Sequence, residues 1–213
     1  MKEEGKRRER SFSAYEAAKR AVDFLMGLGG LVVMLPVFLL CPLLIRLTSK
    51  GPAIYTQYRI GRNGVPFKIY KFRTMVNGAD DLGKHLTAEQ LEFYRYNRKL
   101  VNDPRITPVG SILRKTSIDE LPQIFNILRG EMSVVGPRPL LPEEIEMYGE
   151  EFQDYITVTP GLTGLWQIKS RHTTTMGERA KMDREYITKR SPVYDLRIFF
   201  MTFRTVFSRK GAC

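Results

Sequence analysis

Residues 21–45, AVDFLMGLGGLVVMLPVFLLCPLLI, are apolar apart from Asp23, and this run constrains the fold more than any other part of the 213-residue chain. Its length matches the roughly 20 apolar residues a helix needs to cross a bilayer. It is too long for the apolar region of a secretory signal, and no small-x-small cleavage site follows it. Two features argue against a straight span. Pro36 stands mid-segment and Pro42 near its end, and each removes a helix hydrogen bond and favours a kink. Basic residues flank both sides, Lys19 and Arg20 before and Arg46, Lys50, Arg59 and Arg62 after, so the positive-inside rule finds no asymmetry. A broken helix that dips into one leaflet and returns, with both ends cytoplasmic, satisfies both observations; a kinked full span is the competing arrangement. Asp23 lies one turn after Lys19 and Arg20, where it can pair near the headgroups.

The chain as a whole is the size of one domain with an appendage. Its 34 Lys+Arg against 23 Asp+Glu give a formal charge of +11, which suits an anionic partner: nucleic acid, anionic lipid or a phosphorylated substrate. The only cysteines are Cys41, inside the apolar run, and Cys213. A disulfide framework and a cysteine-based zinc site are both unsupported, and the two isolated histidines, His85 and His172, do not make a metal cluster.

Three regions follow from these patterns: a basic surface segment (1–20) with amphipathic character from Ser13, the membrane hairpin (21–47), and a catalytic or binding domain (48–213) at the membrane surface. In the last, strand-like runs at Ala53–Ile60 and Pro66–Met75 flank Arg62-Asn63-Gly64, a strong hairpin signal. Period-two alternation puts Phe67, Ile69, Lys71, Arg73 and Met75 on one face. Helical patterns cover Thr87 to about Leu100, opening on Thr87-x-x-Gln90, then Pro122 to Arg129 with Gly130 just past its end. Further helices run from about Pro142 to Tyr155, from about Met176 to Lys189, and from Tyr194 to Phe207. The last places Leu196, Phe199, Phe200, Phe203 and Phe207 on one stripe, which serves either core packing or an interfacial contact. The expected class is α+β: mostly helical, monotopic, with a re-entrant helix–break–helix, interfacial amphipathic helices and a small β-hairpin.

Chemistry concentrates in three stretches. Asp119 and Glu120 sit in Arg114-Lys115-Thr116-Ser117-Ile118-Asp119-Glu120-Leu121-Pro122. Ser117-x-x-Glu120 fits a capping box, a purely structural reading. The same position suits a nucleophilic carboxylate, because a helix N-terminus with Arg114 and Lys115 nearby would keep Asp119 ionised and draw a phosphate to it. In Gly136-Pro137-Arg138-Pro139, two prolines pin the backbone around an arginine whose fork can grip phosphate oxygens. Pro160-Gly161-Leu162-Thr163-Gly164-Leu165-Trp166 permits close backbone approach, and Trp166 suits either base stacking or core packing.

Together these stretches, in order from about Lys19 to Phe207, resemble the bacterial sugar transferase family, the monotopic phosphoglycosyl transferases. The resemblance rests on Lys19-Arg20-x-x-Asp23, Gly61-x-x-Gly64 with Phe67, and Lys71-Phe72-Arg73-Thr74-Met75. It continues through Asp103-Pro104-Arg105-Ile106-Thr107, the Arg114–Gln123 stretch, Gly136-Pro137-Arg138-Pro139-Leu140 and Pro160-Gly161-Leu162-Thr163-Gly164. It implies a two-step transfer in the family's minimal catalytic form. By family pattern, Asp119 attacks the β-phosphate of a UDP-sugar, releases UMP and holds a phospho-sugar, which a polyprenyl (undecaprenyl) phosphate then takes. Glu120 completes the dyad, Mg²⁺ is expected at Asp119 and Glu120, and Lys71, Arg73, Arg114 and Arg138 are expected on phosphate or nucleotide. The implied setting is the cytoplasmic face of the bacterial inner membrane, among its lipids, with no nucleic-acid partner; a homodimer is compatible with the sequence. The sugar and the glycoconjugate pathway are not written in it. One departure is Leu35-Pro36 where family members commonly carry Ser-Pro, so a hydroxyl that could satisfy a freed carbonyl is missing. CDP-alcohol phosphotransferases, which need several spanning helices and an Asp-rich metal motif, do not fit. A tethered basic module without activity is the non-enzymatic alternative.

Overall fold

The computed structural model describes residues 2–97, 100, 102–169 and 175–207; His172 lies outside them. Helices α1 (Lys2–Val33) and α2 (Leu35–Thr48) come first, followed by β1 (Ile54–Ile60), a 3-10 turn (Arg62–Gly64) and β2 (Pro66–Phe72). Next are α3 (Leu82–His85), α4 (Ala88–Asn97), α5 (Pro108–Thr116), a 3-10 turn (Ile118–Gln123), α6 (Ile124–Arg129) and β3 (Ser133–Val135). The remainder is a 3-10 turn (Pro142–Glu144), α7 (Ile145–Tyr148), α8 (Glu151–Tyr155), β4 (Gly161–Thr163), α9 (Leu165–Lys169), α10 (Met176–Lys189) and α11 (Pro192–Phe207). This is the mostly helical α+β arrangement expected, with β1 pairing β2 and β3 pairing β4. Two compact units are present: the described residues of Met1–Met34, Thr56–Tyr70 and Gln123–Gly211, and those of Leu35–Tyr55 and Lys71–Pro122.

The apolar run forms two helices. α1 closes with the Met34 amide donating to the Gly30 carbonyl (2.9 Å), and α2 starts one residue later. Pro36 sits in the first turn of α2, where its missing N–H is tolerated; in a continuous helix its ring would collide with the Val32 carbonyl. The break therefore falls at Met34, two residues ahead of the proline. Among the described residues no single helix is long and apolar enough to cross a membrane, whereas Ala14–Val33 and Leu35–Thr48 meet that test as a pair, bent by 61° at the break. Their outward side chains are strongly apolar: Leu25, Val32, Leu39 and Leu47 are all more than 60 % exposed.

In the first unit, β3 and β4 run parallel with Ser133 opposite Gly161 and Val135 opposite Thr163. Phe67, Ile69, Ile127, Val135, Tyr186 and Ile198 belong to the core around them. α1 packs on α6, and a Cβ added at Gly27 would come within 3.1 Å of Leu128. Arg20 finishes α6 by donating from Nη1 to the Ile127 carbonyl (2.6 Å) and from Nη2 to the Leu128 carbonyl (2.7 Å). Gly130 takes the left-handed conformation (φ 83°) that ends the helix. Asp23 does more than pair with Lys19, since its Oδ1 accepts the Val134 amide at 3.0 Å. Lys19 Nζ and Tyr15 Oη both donate to Asp195 at the start of α11, each at 2.8 Å. A second cluster packs Ile60, Leu140, Tyr148, Tyr155 and Ala180.

Two expected elements differ in this unit. The single helix predicted over 142–155 is a 3-10 turn followed by α7 and α8, interrupted at Gly149, whose φ of 58° no helix accommodates. The stripe on α11 divides: Phe199 packs on the core beside buried Ile198, while Leu196, Phe200 and Phe203 are 56, 62 and 47 % exposed. The Phe207 side chain is outside the described part.

In the second unit, α2 packs against α5, and Cys41, Ile45, Ala53, Phe72 and Leu113 form the core. β2 ends at Phe72, so the alternation expected as far as Met75 stops there; Phe72 is buried and Lys71 half-buried. Beyond it the chain stays extended enough for Met75 to bridge Ile106. α5 begins on Thr107, whose Oγ1 accepts the Gly110 amide (2.9 Å), and Pro108 occupies its first turn. Gly110 is obligatory: a Cβ there would lie 1.9 Å from the Thr74 carbonyl oxygen.

Candidate active site

α5 delivers Arg114 and Lys115 in its last turn and stops at Ser117, which adopts the left-handed conformation (φ 57°, ψ 18°) with its amide returned to the Arg114 carbonyl. Ser117 is therefore the left-handed C-cap that follows α5 and not the N-cap of the next element, because an N-cap needs extended backbone. The reversal throws the chain into the 3-10 turn Ile118–Gln123, with Asp119 and Glu120 in its first turn. The helix expected over Pro122–Arg129 is the end of this turn followed by the short α6. Electrostatic support for the dyad thus comes chiefly from side chains, since a six-residue helix has a weak dipole.

Lys71, at the end of β2, donates from Nζ to Glu120 Oε1 at 2.7 Å, with both side chains about one-fifth exposed. Asp119 is half-buried. Burial first, and then the neighbouring Glu120 charge, push its carboxyl up to about 6, while Lys71 and Arg114 pull the other way. The Arg114 guanidinium is itself anchored, with Nε donating to Thr74 Oγ1 at 2.8 Å. The structure thus brings together Lys71, Arg114, Asp119 and Glu120. A half-buried carboxylate flanked by two cations suits nucleophilic attack at a phosphorus whose oxygens the cations neutralise.

Arg73 points elsewhere. It is buried, and its Nη2 donates to the Ser49 carbonyl (2.9 Å) and hydroxyl (2.7 Å), closing the C-terminal end of α2. Gly51, at φ 112°, gives the guanidinium room, since a Cβ there would sit 2.3 Å from Nη1. Arg105 is another internal clamp. It forms a two-point pair with Asp103 (2.9 and 2.6 Å), donates to the Ala79 carbonyl (3.2 Å) and lies over the Tyr94 ring. Its bonds to Asp103 hold that carboxyl below its ordinary range, against the opposing effect of burial.

Arg138 belongs to the first unit, in the Gly136–Pro139 turn after β3. The turn is fixed by the Gly136 amide donating to the Thr163 carbonyl (2.8 Å) and the Gly161 amide to the Pro137 carbonyl (2.7 Å). A Cβ on Gly161 would lie 2.1 Å from the Gly136 nitrogen, so the close approach expected of this glycine-rich stretch is real. The Arg138 carbonyl accepts from Arg179 Nη2 (3.1 Å), and its guanidinium stands 5.7 Å from the Trp166 ring centre. Trp166 also carries Arg179 at 5.0 Å, so it sits among arginines rather than in an apolar core. Below lies Asp183, which accepts from the Tyr148 hydroxyl; burial raises its carboxyl to about 6, with Arg179 the chief opposing influence. Sequence reasoning missed Arg179, Asp183 and Thr74. The four-residue spacing of Arg179 and Asp183 in α10 looks like a solvated ion pair, and their burial is what marks them.

Among the described residues no group of three or more His, Cys, Asp or Glu side chains is placed to hold a metal ion. Asp119 and Glu120 together offer two carboxylates. Two hard oxygen donors suit Mg²⁺, which binds through one or two carboxylates together with substrate phosphates.

Residues 14–209 match the bacterial sugar transferase family. The exopolysaccharide production protein ExoY of Rhizobium meliloti (strain 1021) is 43 % identical over 198 residues, covering 92 % of this chain and 88 % of that protein. The undecaprenyl-phosphate galactose phosphotransferase of Salmonella typhimurium (strain LT2) is 41 % identical over 204 residues, 92 % of this chain and 43 % of its own length. The UDP-glucose:undecaprenyl-phosphate glucose-1-phosphate transferase of Escherichia coli (strain K12) is 38 % identical over 202 residues, 91 % of this chain and 41 % of its own. The chain belongs to the bacterial sugar transferase family and is a transferase enzyme.

Proposed function

We propose that this enzyme moves a sugar 1-phosphate from a UDP-sugar to undecaprenyl phosphate, the first membrane step in building a polysaccharide or related glycoconjugate. The observation that carries the reading is the half-buried Asp119 between the charges of Lys71 and Arg114, with Glu120 held by Lys71 at 2.7 Å. An Asp119 carboxylate oxygen attacks the sugar-bearing phosphorus, the phosphorus–oxygen bond of the diphosphate bridge breaks, and UMP leaves with the bridging oxygen. The product is an aspartyl phospho-sugar. A phosphate oxygen of the polyprenyl carrier then attacks the same phosphorus and returns Asp119 as a carboxylate, leaving a polyprenyl diphospho-sugar. Lys71 holds Glu120 beside the nucleophile, and Arg114 binds phosphate oxygens of the nucleotide sugar. Arg138 grips diphosphate or nucleotide with a fork whose backbone Arg179 fixes. Asp119 and Glu120 are the residues that would hold Mg²⁺, which supplies charge neutralisation of the diphosphate and the departing UMP.

The enzyme works in the inner membrane with its site on the cytoplasmic side. Support comes from the bent α1–α2 pair with its exposed leucines and valines, and from the exposed Leu196, Phe200 and Phe203 on α11. Exposed apolar side chains in such number are unfavourable in water and suit lipid.

Intact-protein mass spectrometry after incubation with a panel of UDP-sugars and Mg²⁺, alongside UMP release with undecaprenyl phosphate, tests the reading. One sugar should give UMP and an adduct of one phospho-sugar, and Asp119→Asn should give neither. An adduct that survives in the Asn variant refutes the assignment of the nucleophile.

A further inference from the structure

The segment Lys71–Met75 serves both cations beside the dyad, but in different ways. Lys71 contributes its own charge to Glu120. Thr74 contributes none; its hydroxyl accepts the Nε–H of Arg114 across 40 residues of sequence. Thr74 is only 7 % exposed, and its backbone is held from three directions. The Thr107 amide donates to its carbonyl (3.0 Å), Met75 bridges Ile106, and Gly110 of α5 lies so close that no side chain fits between. A threonine packed this firmly presents its hydroxyl in one place. A guanidinium is planar, so fixing Nε fixes the plane in which the two terminal nitrogens lie.

We propose that Thr74 is a positioning residue for the transfer: its hydroxyl orients the Arg114 fork so that the terminal nitrogens meet the phosphate oxygens of the nucleotide sugar at Asp119. The inference rests on the proposed phospho-sugar transfer for what the fork grips, and on the Thr74–Arg114 bond for how it is aimed. Without the hydroxyl, Arg114 keeps its charge but loses its orientation, and a long flexible cation recognises phosphate less well than a preset fork. The defect is then one of substrate binding, while the chemistry at Asp119 continues once substrate is bound.

The test uses the full-length enzyme in detergent or nanodiscs with Thr74→Val, which keeps the branched shape, and Thr74→Ser, which keeps the hydroxyl. Thr74→Val should raise KM for the UDP-sugar on the order of tenfold or more, as loss of a hydrogen bond to a charged group implies, with kcat changed less; Thr74→Ser should restore KM. A second measurement needs no turnover: the Nε–Hε signal of Arg114 in an arginine side-chain NMR spectrum should be protected from exchange in wild type and Thr74→Ser and lose that protection in Thr74→Val. Failure of wild type to release UMP would strike the functional reading but leave the NMR result standing. The proposal is overturned by an unmoved Arg114 signal in Thr74→Val, by a fall in kcat at unchanged KM, or by a Ser variant as impaired as the Val variant.

Discussion

Asp119→Asn should abolish transfer and at the same time make the substrate-free protein more stable. Burial first, and then Glu120, push the Asp119 carboxyl from its ordinary 3.8 up to about 6. A folded state that raises a carboxyl pKa favours the protonated form, so stability is greatest below about pH 4 and declines as pH climbs through 6. At 1.36 kcal/mol per unit the full penalty above pH 7 is about 3 kcal/mol. Asp119 is only half-buried, and solvent screening reduces that to about 1–2 kcal/mol. Asparagine keeps the shape and removes the charge, so at pH 7.5 the variant should melt higher by roughly 3–6 °C for a chain of this size. The assay is thermal unfolding of both proteins in the same detergent with EDTA, at pH 7.5, 6 and 4.5. The gap should narrow as pH falls and close only below about pH 4, where the Asp119 carboxyl is protonated in the unfolded chain as well. Adding Mg²⁺ at pH 7.5 should also narrow it, because a cation relieves the same repulsion. An Asn variant that melts at or below wild type at pH 7.5, or a gap that ignores pH, would refute the electrostatic account of the dyad.

Gly110→Ala should abolish activity and cost on the order of 3 kcal/mol or more, since its methyl meets backbone at Thr74 and not a mobile side chain; circular dichroism melts and UMP release check both. Arg20→Ala should cost about 2–3 kcal/mol by leaving the Ile127 and Leu128 carbonyls at the end of α6 without their donor, and a melting temperature within 2 °C of wild type would contradict it. Cysteines placed singly at positions 10 and 50, with Cys41 and Cys213 replaced, should both resist an impermeant thiol reagent in intact cells; labelling of one alone would establish a full span instead of a re-entrant hairpin.

Features encoded over a few residues were legible in the sequence. Asn63-Gly64 announced the β1–β2 turn, and Asn63 does take φ 57°. Thr87 and Gln90 exchange the two hydrogen bonds their spacing suggested, and Gly130 stops α6 as a left-handed residue should. The segment bearing Asp119 and Glu120 was found by motif, but its backbone was misjudged. Ser117 reads as a cap only if the preceding helix has already ended, and nothing local reveals that α5 runs up to it. The strands β3 and β4 span three residues each, too short for any periodicity to register. What could not be read were bonds joining distant residues: Thr74 to Arg114, Arg20 to Ile127, and Asp23 to Val134, separated by 40, 107 and 111 positions. Their polar groups look solvated in sequence and acquire meaning only when packing removes water from them.

The polar foot of α1 has a consequence for how the protein is made. Lys19 and Tyr15 find their carboxylate on Asp195, 176 and 180 residues downstream. At about 5–20 residues per second, a ribosome needs roughly 9–35 s to make that partner after Lys19 has been added. The apolar run directly behind Lys19 leaves the ribosome long before then, while the foot is still open. Early on, Asp23 has Lys19 within reach and little else, because Val134 is also yet to be synthesised. The final seating of α1 is thus a late event, set by the arrival of α11. A stalled or truncated chain that stops short of Asp195 would hold its apolar run with the basic end untethered, and it is this species, more than the finished enzyme, that quality-control proteases should recognise.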